Sequence, residues 1–194
     1  APNCLIGADG HLKLSDFGSS TILYTEDQWD DVLKAGAMRS PKAHTLVGTF
    51  HMMSPEMAGQ IGHSLQCDWW SVGAMLYELI AGTPTFPKLF AQAPSGSSAA
   101  DAPFDPTNYA LDFAPSFTDA FRDCLPGASP TECQAFEMAT RDLISGMLTV
   151  AAGERTSPWT FDGRCRNSAA FVFAGVNWER VLAGTAPAPS TAFD

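Results

Sequence analysis

Apolar positions along this chain form two short runs, then one long stretch, then a regular helical repeat, with polar or small-residue segments between them. Cys4-Leu5-Ile6 and His11-Leu12-Lys13-Leu14 are joined through Asp9-Gly10, a pair that accepts positive φ and so predicts a β-hairpin. From Leu65 to Ala81 the apolar residues Trp69, Trp70, Val72, Met75, Leu76, Leu79 and Ile80 surround a helix instead of forming one stripe. That pattern predicts a central helix buried on nearly all sides, ended by Gly82-Thr83-Pro84. Ser129-Pro130-Thr131-Glu132 reads as a capping box with proline at the first helical position. The helix it opens, over 130–149, carries Phe136, Leu143, Ile144, Met147 and Leu148 at helical spacing. The helix at 65–81 should form the core, with the helix at 130–149 packed near it.

The intervening segments are less regular. Residues 19–47 form a long loop, within which Thr25-Glu26-Asp27-Gln28 reads as a helix start. Trp29, Val32 and Leu33 then share a face before Gly36 stops a short acidic helix. Residues 91–102 (AQAPSGSSAADA) predict a mobile surface insert. Phe171 to Leu182 is either a final helix or an irregular segment, and residues 185–194 read as a frayed tail. No internal repeat is present.

Composition narrows the class. At 194 residues, with 45% hydrophobic and 16% charged positions, the chain can bury a single sizeable core and is not of disordered type. No apolar run approaches a membrane span and no signal peptide is visible. The five cysteines, Cys4, Cys67, Cys124, Cys133 and Cys165, are odd in number and unpaired in spacing, which predicts reduced thiols in an intracellular, cytoplasmic or nuclear protein. Eleven basic against 21 acidic residues give a net charge of −10, which disfavours nucleic acid as a partner and favours basic peptides or proteins.

The chemistry-bearing residues fall in a recognisable order. Asp16-Phe17-Gly18 follows the hairpin, Ser54-Pro55-Glu56 comes some forty positions later, and Asn3 precedes the hairpin. An Asp-Phe-Gly and a small-residue-Pro-Glu at this separation resemble the two ends of a protein-kinase activation segment. The chain is similar to the C-terminal lobe of a serine/threonine protein kinase, entered partway through its catalytic loop. The fold implied is mainly α-helical with a small β-hairpin, lacking the N-lobe, with a kinase portion over 1–166 and the start of a C-terminal extension over 167–194. The cofactors implied are ATP and Mg²⁺, with Asp16 and the amide oxygen of Asn3 as metal ligands and nucleotide contacts. The family's catalytic aspartate stands five residues before that Asn, upstream of Ala1, so the chain alone is expected to be inactive. Partners implied are protein substrates, an activating kinase and a coactivator.

Further positions match by residue. Glu56 matches the carboxylate that closes the segment, and Arg155 the buried arginine that pairs with it; a guanidinium fork suits a buried carboxylate. Asp68, before Trp69-Trp70-Ser71, matches an aspartate that accepts bonds from catalytic-loop amides. The alternative is an exposed first-turn Asp stabilised by the helix dipole. His44-Thr45-Leu46-Val47-Gly48-Thr49 and Cys67-Asp68-Trp69-Trp70-Ser71-Val72-Gly73 resemble the AGC group, most of all its NDR/LATS branch. Phe173-Ala174-Gly175-Val176-Asn177-Trp178 resembles the lead into that group's C-terminal extension. The resemblance makes Thr45 the activation-loop phosphorylation site and Thr49 the residue contacting the catalytic aspartate. It makes Glu78 a carboxylate for a substrate arginine two residues before the acceptor, and Leu46 and Val47 the lining for the residue after it.

The sequence also departs from the family. Phe50 replaces a proline, Met52-Met53 an aromatic position, and Ser54 an alanine; Ser19-Ser20-Thr21 lacks the usual basic residue, and Ala169-Ala170 stands where His-Pro is usual. Three readings follow: a Ser/Thr kinase of basophilic type when complete, a pseudokinase or scaffold lobe that binds proteins without catalysis, and a truncated product that never acts alone.

Overall fold

The computed structural model describes residues 3–22, 50–92, 105–121, 129–156 and 177–186. They belong to two units, one joining Ala1–Ser20 with Phe173–Asp194 and the other spanning Thr21–Val172.

In the first unit, strands β1 (Cys4–Ile6) and β2 (Leu12–Leu14) pair antiparallel, with Cys4 opposite Leu14 and Ile6 opposite Leu12. The turn is built as the Asp9-Gly10 pair requires. Gly10 takes φ 76°, and its N–H donates to the Gly7 carbonyl at 2.8 Å. The Asp9 carboxylate accepts the His11 N–H at 3.2 Å and lies 3.5 Å from Lys13 Nζ, and these contacts hold its pKa below the ordinary value. A C-terminal helix, Trp178–Leu182 (α6, counting along the described residues), is capped by the Asn177 side chain, which accepts from the Arg180 N–H. Thr185 and Ala186, expected in a frayed tail, both donate N–H bonds to the Arg180 carbonyl, at 2.9 and 3.0 Å. Gly184, at φ 65°, allows that reversal. His11 Nε2 lies 2.9 Å from the Ala186 carbonyl, so the hairpin turn and the chain's C-terminal segment meet there.

The second unit holds helices α1 (Pro55–Ala58), α2 (Gln66–Ala81), α3 (Pro87–Gln92), α4 (Pro115–Asp119) and α5 (Pro130–Met147). The capping box at the start of α5 is present in both directions: Ser129 Oγ accepts the Glu132 N–H, and the Glu132 carboxylate accepts the Ser129 N–H at 2.8 Å. α2 is the core helix. Trp70, Ala74, Tyr77 and Ala81 recur at spacings of three and four and are buried together with Phe86, Leu89, Tyr109, Phe117, Phe121, Ile144 and Leu148. Trp70 is fully enclosed; it stacks on Phe86 at 5.4 Å and meets Tyr109 edge-on at 5.6 Å. α5 approaches closely because residue 73 is glycine: a Cβ there would lie 2.8 Å from Met147 Cβ. Gly82, at φ 65°, stops α2 with its N–H on the Glu78 carbonyl at 2.9 Å.

Two expectations about this unit need correction. α2 is not buried on nearly all sides: Leu79 is 69% exposed and Asp68 is exposed. Apolar residues around a helix show what could be buried, whereas burial depends on what packs there, and the cover comes to the Trp70-Ala74-Tyr77 side. The insert at 91–102 also begins too early, since α3 continues through Gln92. The short helix expected at 25–36 lies outside the described residues, as do 93–102. Among the described residues Cys67 and Cys133 are free thiols, and no helix is long and apolar enough to cross a membrane.

Candidate functional site

The hairpin returns the chain so that Asn3 and Asp16 flank the same edge. The Asn3 carbonyl accepts the Ser15 N–H at 2.9 Å and the Ser15 hydroxyl at 3.2 Å, fixing Asn3 beside the residue that precedes Asp16. Asp16 adopts φ 61°, ψ 70°, the left-handed region that a side chain with a β-carbon rarely enters. It caps the turn Phe17–Ser19, with Oδ1 accepting the Gly18 N–H at 3.4 Å. A strained, solvent-facing carboxylate next to a pinned amide residue offers two hard oxygen donors. Such a set suits Mg²⁺, which keeps several of its waters and takes one or two protein oxygens. The residues present therefore fit the metal implied by the sequence.

Among the described residues of the second unit, Arg155 has no exposed surface. Nη1 donates to Glu56 Oε1 and to the Gln66 carbonyl, both at 2.7 Å; Nη2 donates to Glu56 Oε2 at 2.9 Å and to the Val150 carbonyl at 3.4 Å. Nε donates to the Thr149 carbonyl at 3.0 Å, so all five guanidinium hydrogens are used. The guanidinium also sits over the Trp70 ring at 5.0 Å. Burial alone would raise the pKa of Glu56, but the hydrogen bonds and charge of Arg155 outweigh it, and the carboxyl is held below its usual range. Burial, with the nearby Glu56 charge, pushes the Tyr109 hydroxyl up to about 12.

Ser71 Oγ donates to the Met52 carbonyl at 3.1 Å, tying the turn Phe50–Met52 to α2. Asp68 does not take the buried role preferred from the sequence. It lies exposed in the first turn of α2, near the Cys67 thiol at 3.7 Å. Crowding around its carboxyl raises its pKa, offset in part by that thiol and by His63. The Cys67 thiol is itself raised to about 12, first by burial and then by Asp68. Glu78 is half-buried, and its Oε1 accepts the Thr85 N–H at 3.3 Å. Thr45, Leu46, Val47 and Thr49 lie outside the described residues.

Sequence reasoning missed two partnerships. It paired Arg155 with Glu56 but not with the three carbonyls, although five donors in an enclosed arginine demand about five acceptors. It also missed His51, whose Nε2 lies 3.9 Å from Glu78 Oε1.

Comparison with known proteins shows the family. The protein kinase domain profile matches residues 1–162. The chain is similar to the serine/threonine-protein kinase LATS2 of Homo sapiens, 36% identical over 118 residues that take in 43% of this chain and 11% of that protein. It is 35% identical over 114 residues to the serine/threonine-protein kinase Warts of Drosophila melanogaster, covering 43% of this chain and 10% of that one. To the ribosomal protein S6 kinase beta of Caenorhabditis elegans it is 37% identical over 84 residues, 43% of this chain and 13% of the relative. The chain thus spans about a tenth of the length of the curated relatives it matches.

Proposed function

The chain belongs to the protein kinase domain family and resembles the NDR/LATS branch of its AGC group, and on that premise we propose that its complete protein transfers the γ-phosphoryl group of ATP to Ser or Thr hydroxyls of proteins. The observation that carries this reading is the strained Asp16 turn beside the pinned Asn3. A protein that only binds partners has no physical need to keep both oxygen donors on one edge. Magnesium, when bound, would supply positive charge to neutralise the nucleotide phosphates. Asp16 and Asn3 hold and orient that charge.

The other residues divide between position and selection. Arg155 and Glu56 lock the end of the activation segment, through α1, onto the segment after α5. Glu78 receives a basic residue of the substrate, in keeping with the net charge of −10. Thr45 takes the activating phosphate, Thr49 contacts the catalytic aspartate, and Leu46 and Val47 line the acceptor's neighbour. On this reading the residues of this chain hold the metal and the substrate.

Phosphotransfer from ATP to a Ser/Thr peptide, measured with the full-length protein and its Asp16→Asn variant, tests the proposal. Activity in the wild type, abolished in a folded Asp16→Asn protein, is the expected result. Activity that survives the substitution overturns the role of Asp16, and an inactive wild type overturns the catalytic reading.

A further inference from the structure

Glu78 does not present an open carboxylate. Its Oε1 accepts the Thr85 N–H at 3.3 Å and faces His51 Nε2 at 3.9 Å, with the two side chains only 22% and 18% exposed. Both neighbours are fixed to α2. Thr85 is buried, and its hydroxyl donates to the Ala74 carbonyl at 2.9 Å. His51 sits in the turn whose Met52 carbonyl accepts Ser71 Oγ.

This arrangement bears on cation recognition. A guanidinium binds a carboxylate best through both oxygens. Oε1 is already engaged, so an incoming arginine meets one oxygen readily and the second only by displacing the imidazole. A protonated imidazole is a resident cation competing for the same carboxylate. Of the elements packed against this turn, α2 brings the Glu78 carboxylate, while Lys88, the one charged residue of α3, acts electrostatically on Asp105. The turn Phe50–Met52 contains no charged residue besides the histidine.

We propose that His51 is a specificity-determining residue that weakens arginine recognition at Glu78 and makes it depend on pH. The inference rests on the reading of Glu78 as a substrate-binding carboxylate. His51 acts through Glu78 and is a positioning residue.

The test measures binding directly, so that it does not depend on turnover. Labelled Ser-containing peptides with Arg or Ala two positions before the acceptor are titrated against the full-length protein by fluorescence anisotropy, at about pH 6 and about pH 8. Wild type, His51→Ala, His51→Asn and Glu78→Gln are compared, each checked for a native near-ultraviolet dichroism spectrum. The wild type should prefer the Arg peptide more at the higher pH. Both His51 variants should raise that preference at the lower pH by about two- to fivefold and flatten its pH dependence. Glu78→Gln should remove the preference. His51 variants that match the wild type at both pH values, while Glu78→Gln still removes the preference, overturn the inference and leave the Glu78 reading standing. A preference that survives in Glu78→Gln, or equal affinity for the two peptides in every variant, overturns both.

Discussion

Arg155 and Glu56, 99 positions apart in the chain, meet in a two-bonded ion pair at 2.7 and 2.9 Å with the arginine wholly enclosed. A buried pair of this kind is costly to break from one side, because the remaining charge keeps its burial and loses its partner. Arg155→Met should therefore destabilise the chain by about 3–5 kcal/mol in urea unfolding. Adding Glu56→Leu should recover only part of that loss, because the Gln66, Thr149 and Val150 carbonyls still lack their donor. Full recovery in the double variant would mean those three bonds contribute nothing.

The same pair sets an acid sensitivity. Glu56 has a folded-state pKa below its ordinary 4.5, so its contribution is fully present above that value and is lost as pH falls through the lower, folded value. Asp68 works in the opposite sense: its raised folded pKa means that acidification relieves an unfavourable charge. Denaturant unfolding at a series of pH values below about 5 should show stability falling. The fall should be steeper in Asp68→Asn, which lacks the relief, and shallower in Glu56→Gln.

Gly73→Ala should lower stability by about 1–3 kcal/mol through overcrowding, even though alanine favours helix by up to about 1 kcal/mol. The new Cβ would lie 2.8 Å from Met147 Cβ, and a β-carbon so close to its own backbone cannot swing aside. Gly153→Ala is the control, because nothing lies within 4 Å of its added carbon. Equal melting temperatures for the two variants would show that α2 and α5 can separate without penalty.

Ser129→Ala removes the acceptor of the Glu132 N–H and one partner of the Glu132 carboxylate. A loss of about 0.5–2 kcal/mol is expected in thermal unfolding. Ser129→Asp should restore most of it, since a carboxylate caps a helix start and suits its dipole.

What could be read from the sequence was set by local chemistry. Asp9-Gly10 and the Ser129-to-Glu132 box each act over a few residues, and both form as their patterns require. The Asn3 and Asp16 edge follows from the hairpin between them. Properties that depend on packing partners were harder to see. The apolar ring of α2 identified a helix but not its covered side, which is why Leu79 and Asp68 were misjudged. Arg155 was found through its motif, whereas its three carbonyl partners come from the backbone of α2 and the segment after α5 and carry no side-chain signature. His51 was missed for a similar reason: 27 positions separate it from Glu78, and no periodicity links a turn to a helix.

The Tyr77 hydroxyl donates to the Asp112 carbonyl at 3.0 Å and accepts the Ala114 N–H at 2.9 Å, from a ring that is almost completely enclosed. A phenol committed in both directions offers no oxygen to a phosphorylating reagent, and its enclosed ring offers no carbon to an iodinating or nitrating one, while the core stays closed. Any label that accumulates on Tyr77 records time spent open, and the residue is a natural stopwatch for breathing of the helical unit.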